Sequence, residues 1–200
     1  MQRVRIVAMG DSTTAGTPAF ASPVESPPLG KGDPTSQYAY WLMQAHPDWE
    51  VLNRGVNGER SDQIRLRFER DVVLARPAVV VVIAGVNDVY QGRSVDAVVG
   101  HLRWMYEKAK ESGIRVVAGT ILPYDSATPE QNAKMHQINA WIRRQADADP
   151  AVGFVDTRAA VAAPGKPDTL SESGDRLHPS PAGYRGMADA IRPVIEQILR

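Results

Sequence analysis

The chain alternates between short apolar runs and longer amphipathic stretches. Residues 4–9 (Val-Arg-Ile-Val-Ala-Met) and 78–84 (Ala-Val-Val-Val-Val-Ile-Ala) read as strands. The second is β-branched and unbroken, the pattern of a central strand buried on both faces. Shorter runs at 49–52, 114–122 and 152–155 complete five predicted strands. Between them, apolar positions recur at helical spacing. Tyr38, Trp41, Leu42 and Ala45 share one face of a helix over 38–46, stopped by Pro47. Ser61 is positioned to cap a helix over 62–74, ended by Pro77. Ser94 caps a helix over 95–111 whose inward stripe is Val95, Val98, Val99, Leu102, Met105, Tyr106 and Ala109. Thr128-Pro129-Glu130-Gln131 is a capping box with proline at the first helical position, opening a helix to about 148. Ser180 and Pro181 start the last helix, with Tyr184, Met187, Ile191, Ile195 and Ile198 buried. Pro193 is expected to kink it or split it in two. His101, His136 and Trp141 read as surface, solvated or packing residues of their helices.

This alternation predicts one domain over residues 1–200: an α/β/α sandwich around a five-stranded parallel sheet, ordered 2-1-3-4-5. Residues 17–36 break the pattern. Prolines at 18, 23, 27, 28 and 34 and glycines at 30 and 32 predict a long irregular loop, read equally well as a lid or binding edge and as a passive insertion.

Composition narrows the classes. At 200 residues and 43% apolar the chain can bury a core without staples. Its 23 basic and 23 acidic side chains cancel, which gives no support to a nucleic-acid partner or an anionic membrane. With no cysteine there is no thiol nucleophile and no thiolate metal site. No apolar run approaches the 18 residues of a membrane span, and residues 1–5 lead straight into the first strand without an apolar leader. The expectation is a soluble, cytoplasmic chain without stable membrane insertion, or a secreted one whose leader has been removed. Nothing in the pattern sets an oligomeric state.

Candidate chemistry collects at the ends of the predicted strands. Gly10-Asp11-Ser12-Thr13-Thr14 follows strand one, Asn57-Gly58 follows strand two, and Asn87 follows strand three. Asp175 and His178 reach the same edge from the loop after strand five. Open α/β sheets bind ligands at this edge. Taken alone, each piece has an ordinary structural use: a polar turn or phosphate nest at Gly10 to Thr14, a surface turn at Asp175 to Pro179, a helix cap at Asn87. Together they fill the roles that acyl transfer needs. A serine hydroxyl attacks only when a base takes its proton. An imidazole can do this and then protonate the leaving alcohol, while a carboxylate on its other nitrogen fixes the tautomer.

Four blocks carry a family resemblance: Gly10-Asp11-Ser12, Asn53 through Gly58, Gly85-Val86-Asn87-Asp88, and Asp175-Arg176-Leu177-His178-Pro179. In this order the chain resembles the SGNH hydrolases, the GDSL esterase and lipase family. The resemblance implies Ser12 as nucleophile, His178 as general base and Asp175 as its orienting carboxylate. It further implies an oxyanion hole from the Ser12 N–H, the Gly58 N–H and the Asn87 side-chain amide, with no metal and no cofactor. Thr13 stands where the family name has leucine, as in members acting on acetylated sugars. The expected substrate is a small-molecule carboxylic ester with a short acyl group such as acetyl, carried by a sugar or other small alcohol. Expected pocket walls are Asp11, Asn57, Val89, Tyr90, Pro123, Tyr124 and Leu177. The alternatives are a lysophospholipase- or thioesterase-type acyl hydrolase, a non-catalytic carbohydrate- or lipid-binding module on the same fold, and a flavodoxin-like phosphate binder.

Overall fold

The computed structural model of the chain describes residues 3–200. Five parallel strands form one sheet: β1 (Val4–Gly10), β2 (Trp49–Gly55), β3 (Val79–Ile83), β4 (Arg115–Gly119) and β5 (Val152–Val155). Their order is β2-β1-β3-β4-β5, as expected. In register, Gly10 at the end of β1 lies beside Gly55 of β2 and Ile83 of β3. Three chain ends therefore meet at one edge.

Alternation along the strands sends side chains to two cores. Val7 and Met9 of β1 and Val80 and Val82 of β3 pack under α3 (Ser61–Leu66), α5 (Val95–Glu111) and α6 (Pro129–Ala148). Ile6, Ala8, Val79, Val81 and Ile83 pack on the other face under α2 (Tyr38–Ala45) and α8 (Pro181–Ile198). Between these elements run three short helices, α1 (Ser12–Ala15), α4 (Val86–Tyr90) and α7 (Thr157–Val161). Among the described residues no helix is long and apolar enough to cross a membrane.

Several elements differ from expectation for identifiable reasons. The helix expected over 62–74 is interrupted: α3 ends at Leu66, and residues Glu69–Val73 form a wider π-helical turn. The break falls at Arg67, whose guanidinium is drawn inward to the carbonyls of Gly10 and Arg54. Ser61 is the first residue of α3 rather than its cap, and its N–H and hydroxyl go to the Asp88 carboxylate. β4 is shorter than 114–122 because both polar groups of the Ile121 main chain pair with the Asn139 side chain. Residues 157–170, expected as loop, hold α7, capped by Asp156, and a small ribbon of Ala162–Ala163 with Lys166–Leu170. α8 runs unbroken through Pro193, with buried Ile191 and Ile195 on either side holding both halves to the sheet. Residues 17–36 are more ordered than an irregular loop. Phe20–Ala21 pairs antiparallel with Lys31–Gly32, and a 3-10 turn follows at Pro34–Ser36.

Candidate active site

The first helix begins where β1 stops. Asp11 caps α1, its Oδ1 accepting from the Thr13 N–H at 3.0 Å and the Thr13 hydroxyl at 2.8 Å. This sharp turn puts Ser12 at the first helical position. Gly10 permits it because a Cβ there would collide with the Thr14 hydroxyl and the Ile83 carbonyl. The Ser12 N–H has no acceptor among the described residues. It is one of the free donors that every helix start presents.

Across the edge, the loop after β2 carries Gly58 in the left-handed region at φ 76°, with open space where a Cβ would be. Its N–H is also without an acceptor among the described residues. Asn87, in the first turn of α4, donates one N–H of its amide to the Glu59 carbonyl at 2.9 Å. That bond fixes which side of the amide is nitrogen and leaves its second N–H for a ligand. Next to it, Asp88 holds Ser61 through contacts of 2.7 and 2.8 Å, so two adjacent side chains of α4 grip the loop that bears Gly58.

Asp175 and His178 arrive on a tight turn with Arg176 in the left-handed region at φ 64°. Asp175 Oδ1 accepts from the Leu177 and His178 amides at 2.9 and 2.8 Å, while its Oδ2 meets His178 Nδ1 at 2.6 Å. With the carboxylate on Nδ1, the ring proton belongs there, and Nε2 is the basic nitrogen. The turn is held from outside by Asp125, whose N–H donates to the Arg176 carbonyl at 3.0 Å.

Comparison with known proteins identifies the family. The family described as GDSL-like Lipase/Acylhydrolase matches residues 8–185. The chain belongs to the GDSL-like lipase/acylhydrolase family. It is thus a serine hydrolase of carboxylic esters with the SGNH fold. An acetylxylan esterase from Geobacillus stearothermophilus is 30% identical over 173 residues, covering 77% of each chain. A GDSL-like lipase from Bacteroides thetaiotaomicron superposes with a TM-score of 0.77 at 27% identity, covering 97% of this chain and 88% of its own. A solved acetylxylan esterase from Geobacillus stearothermophilus shares the fold, with a TM-score of 0.73 at 24% identity over 98% of this chain and 96% of that one.

Electrostatics separate the two acids of this GDSL-family site. Partial burial pushes the Asp175 carboxyl up, but hydrogen bonds from the His178 ring and from the His178 and Leu177 amides outweigh it. Asp175 is held well below the usual carboxylate range. Asp11 goes the other way. Burial pushes its carboxyl up to about 6, against the Thr13 hydrogen bonds and the charge of His178. Its Oδ2 is buried and finds no partner among the described residues.

The structure joins Asp175 to His178 and places free donors at Ser12 and Gly58, but it forms no hydrogen bond between the Ser12 hydroxyl and His178. A serine activated by a histidine is expected to lie about 2.6–3.2 Å from the ring nitrogen, and that bond is not formed here. Of the expected pocket walls, Tyr90, Leu177 and Asn57 are exposed and able to meet a ligand. Asp11, Val89, Pro123 and Tyr124 are buried and offer no such surface. Val89 and Tyr124 serve the core, and Asp11 is spent on capping α1. Among the described residues no group of three or more histidine or acidic side chains is placed to hold a metal ion.

Two supporting residues had no motif to announce them: Arg67 and Asp125. Arg67 is buried, and its guanidinium spans the Glu59 carboxylate at 2.7 Å, the Arg54 carbonyl at 2.7 Å, Asp71 at 2.8 Å and the Gly10 carbonyl at 2.9 Å. One side chain thus ties the turn after β1 to the loop that bears Gly58. The only sequence signal was the Arg67–Asp71 spacing of four on a helix, which usually marks a surface pair.

Proposed function

We propose that the chain hydrolyses short-chain esters, acetyl esters of a sugar or other small alcohol foremost, through an acyl-enzyme formed on Ser12. The 2.6 Å His178–Asp175 pair at the same sheet edge as two unengaged main-chain N–H donors carries this reading. In the first half-reaction His178 Nε2 takes the Ser12 proton as the hydroxyl oxygen attacks the ester carbonyl. The charge that develops on the carbonyl oxygen is met by the Ser12 and Gly58 N–H groups and by the free amide N–H of Asn87. The protonated imidazole, steadied by the ionised Asp175, then gives its proton to the departing alkoxide. Water repeats the sequence on the acyl-enzyme, releasing the acid and restoring the hydroxyl.

Support for a short acyl group comes from the site's surroundings. Ser12 lies against the buried Asp11, Thr13 and Thr14, and Val89 and Tyr124 fill the core behind Tyr90. The 30% identical relative is an acetylxylan esterase. Rates on p-nitrophenyl esters from acetate to decanoate, beside acetate release from acetylated xylooligosaccharides, test the assignment with Ser12→Ala as the blank. Acetate should be the best ester, and acetyl groups should be released from the sugar. A preference for decanoate, or equal release by Ser12→Ala, contradicts the reading.

A further inference from the structure

The oxyanion loop is poorly secured by its own residues. Asn57 and Gly58 are both exposed, and nothing lies within 4 Å of where a Gly58 side chain would begin. The loop's internal bond, from the Glu59 N–H to the Val56 carbonyl, is long at 3.4 Å, and the Val56 N–H reaches the Gly10 carbonyl at 3.2 Å. The contact to the main chain next to Gly58 comes from elsewhere in the chain. Glu25, on the proline-rich segment, accepts the Asn57 N–H through Oε1 at 2.8 Å. Its other oxygen, Oε2, accepts the Ser22 N–H at 2.9 Å. Ser22 in turn is buried and donates its hydroxyl to the Gly55 carbonyl at 2.6 Å. A closed relay thus runs from the end of β2 through Ser22 and Glu25 to the residue immediately before Gly58.

We propose that Glu25 is a positioning residue for the oxyanion hole, holding the Asn57–Gly58 peptide so that its N–H faces the reacting carbonyl. The proposal rests on the esterase reading above. An ionised acceptor makes a stronger bond to an N–H than a neutral one, and here both carboxylate oxygens are occupied, so the carboxylate cannot swing. Fixing the donor before reaction is what gives such a site its effect, because no reorganisation is left for the transition state. The segment over 17–36 thereby acquires a role in turnover besides lining a cavity of about 430 Å3 with Thr17, Pro18, Phe20 and Lys31, together with Glu25 and Asn57 themselves.

The test compares the full-length wild type with Glu25→Ala and Glu25→Gln on p-nitrophenyl acetate, resolving kcat from KM. Ser12 labelling by a fluorophosphonate and Tm are measured on the same samples. Glu25→Ala should lower kcat about tenfold, less than the 100- to 1000-fold of losing a donor outright, with KM held within about twofold. Glu25→Gln keeps an oxygen for the Asn57 N–H and should recover most of the rate. Because Glu25 is exposed, Tm should stay close to the wild-type value. A kcat unchanged in Glu25→Ala overturns the inference, as does a loss confined to KM or a Gln variant as slow as Ala. A wild type that neither cleaves the ester nor labels at Ser12 overturns the esterase reading itself. Normal wild-type labelling with an unaffected Glu25→Ala removes the role of Glu25 alone.

Discussion

Replacing Arg67 with methionine tests whether the nucleophile turn and the oxyanion loop are held as one unit. Methionine keeps much of the volume and removes the guanidinium. Four contacts to oxygen disappear: two to the carboxylates of Glu59 and Asp71, two to the carbonyls of Gly10 and Arg54. Removing one partner of a buried ion pair typically costs about 3–5 kcal/mol, because the remaining charge is left desolvated. Two features hold the value to the lower end. Asp71 keeps a bidentate contact with Arg70, and the Gly10 carbonyl still accepts from Val56. A loss of about 3 kcal/mol follows, equivalent to about 6–12 °C in Tm for a domain of this size. Urea unfolding followed by circular dichroism gives the free energy directly. Arg67→Lys, which can satisfy one carboxylate but cannot fork, should fall between the two. At 25 °C, where Arg67→Met remains folded, kcat should drop about tenfold from the loosened donors. A stability loss below about 1 kcal/mol with unchanged kcat would refute the view of Arg67 as the tie between the two loops.

Two more outcomes follow from the site. Asn87→Ala removes one donor to the developing oxyanion and should lower kcat about 100- to 1000-fold, about 2.7–4 kcal/mol of barrier, with KM little changed on p-nitrophenyl acetate. Asp11 should leave a signature in stability against pH. Its folded-state carboxyl is raised from 3.8 to about 6, so the folded chain holds that proton more tightly than the unfolded one. Between about pH 4 and 6 stability should therefore fall as pH rises, and ionised Asp11 should cost about 3 kcal/mol above that window. Asp11→Asn removes this component, so the difference in unfolding free energy between variant and wild type should shift toward the variant by that amount from pH 3.5 to 7. A pH-independent difference contradicts it.

The scaffold was legible because its signals are local. Ser94, Thr128 and Ser180 each accept from the N–H three residues on, and Val79–Ile83 is buried along its whole length. Elements were misjudged where a side chain from far along the chain took over a main-chain group. Asn139 captures Ile121 and shortens β4, while Asp88 captures Ser61 and displaces the cap. At the site, Ser12, Asp175 and His178 stand out in the sequence through the blocks that carry the family resemblance, and the fold pairs Asp175 with His178. Val89, Pro123 and Tyr124 follow the right strands to line a pocket, yet Val89 and Tyr124 turn into the core and Pro123 is buried. Glu25 was invisible: it is an exposed glutamate in a proline-rich stretch, and only the fold brings it to Asn57.

The claim on which the rest depends is that Ser12, activated by His178, is the acylated residue. Fluorophosphonate treatment followed by intact-mass and peptide analysis tests it most directly. One adduct on Ser12 is predicted, absent in Ser12→Ala and strongly slowed in His178→Ala. An adduct on another residue, or labelling that survives in Ser12→Ala, would contradict the account.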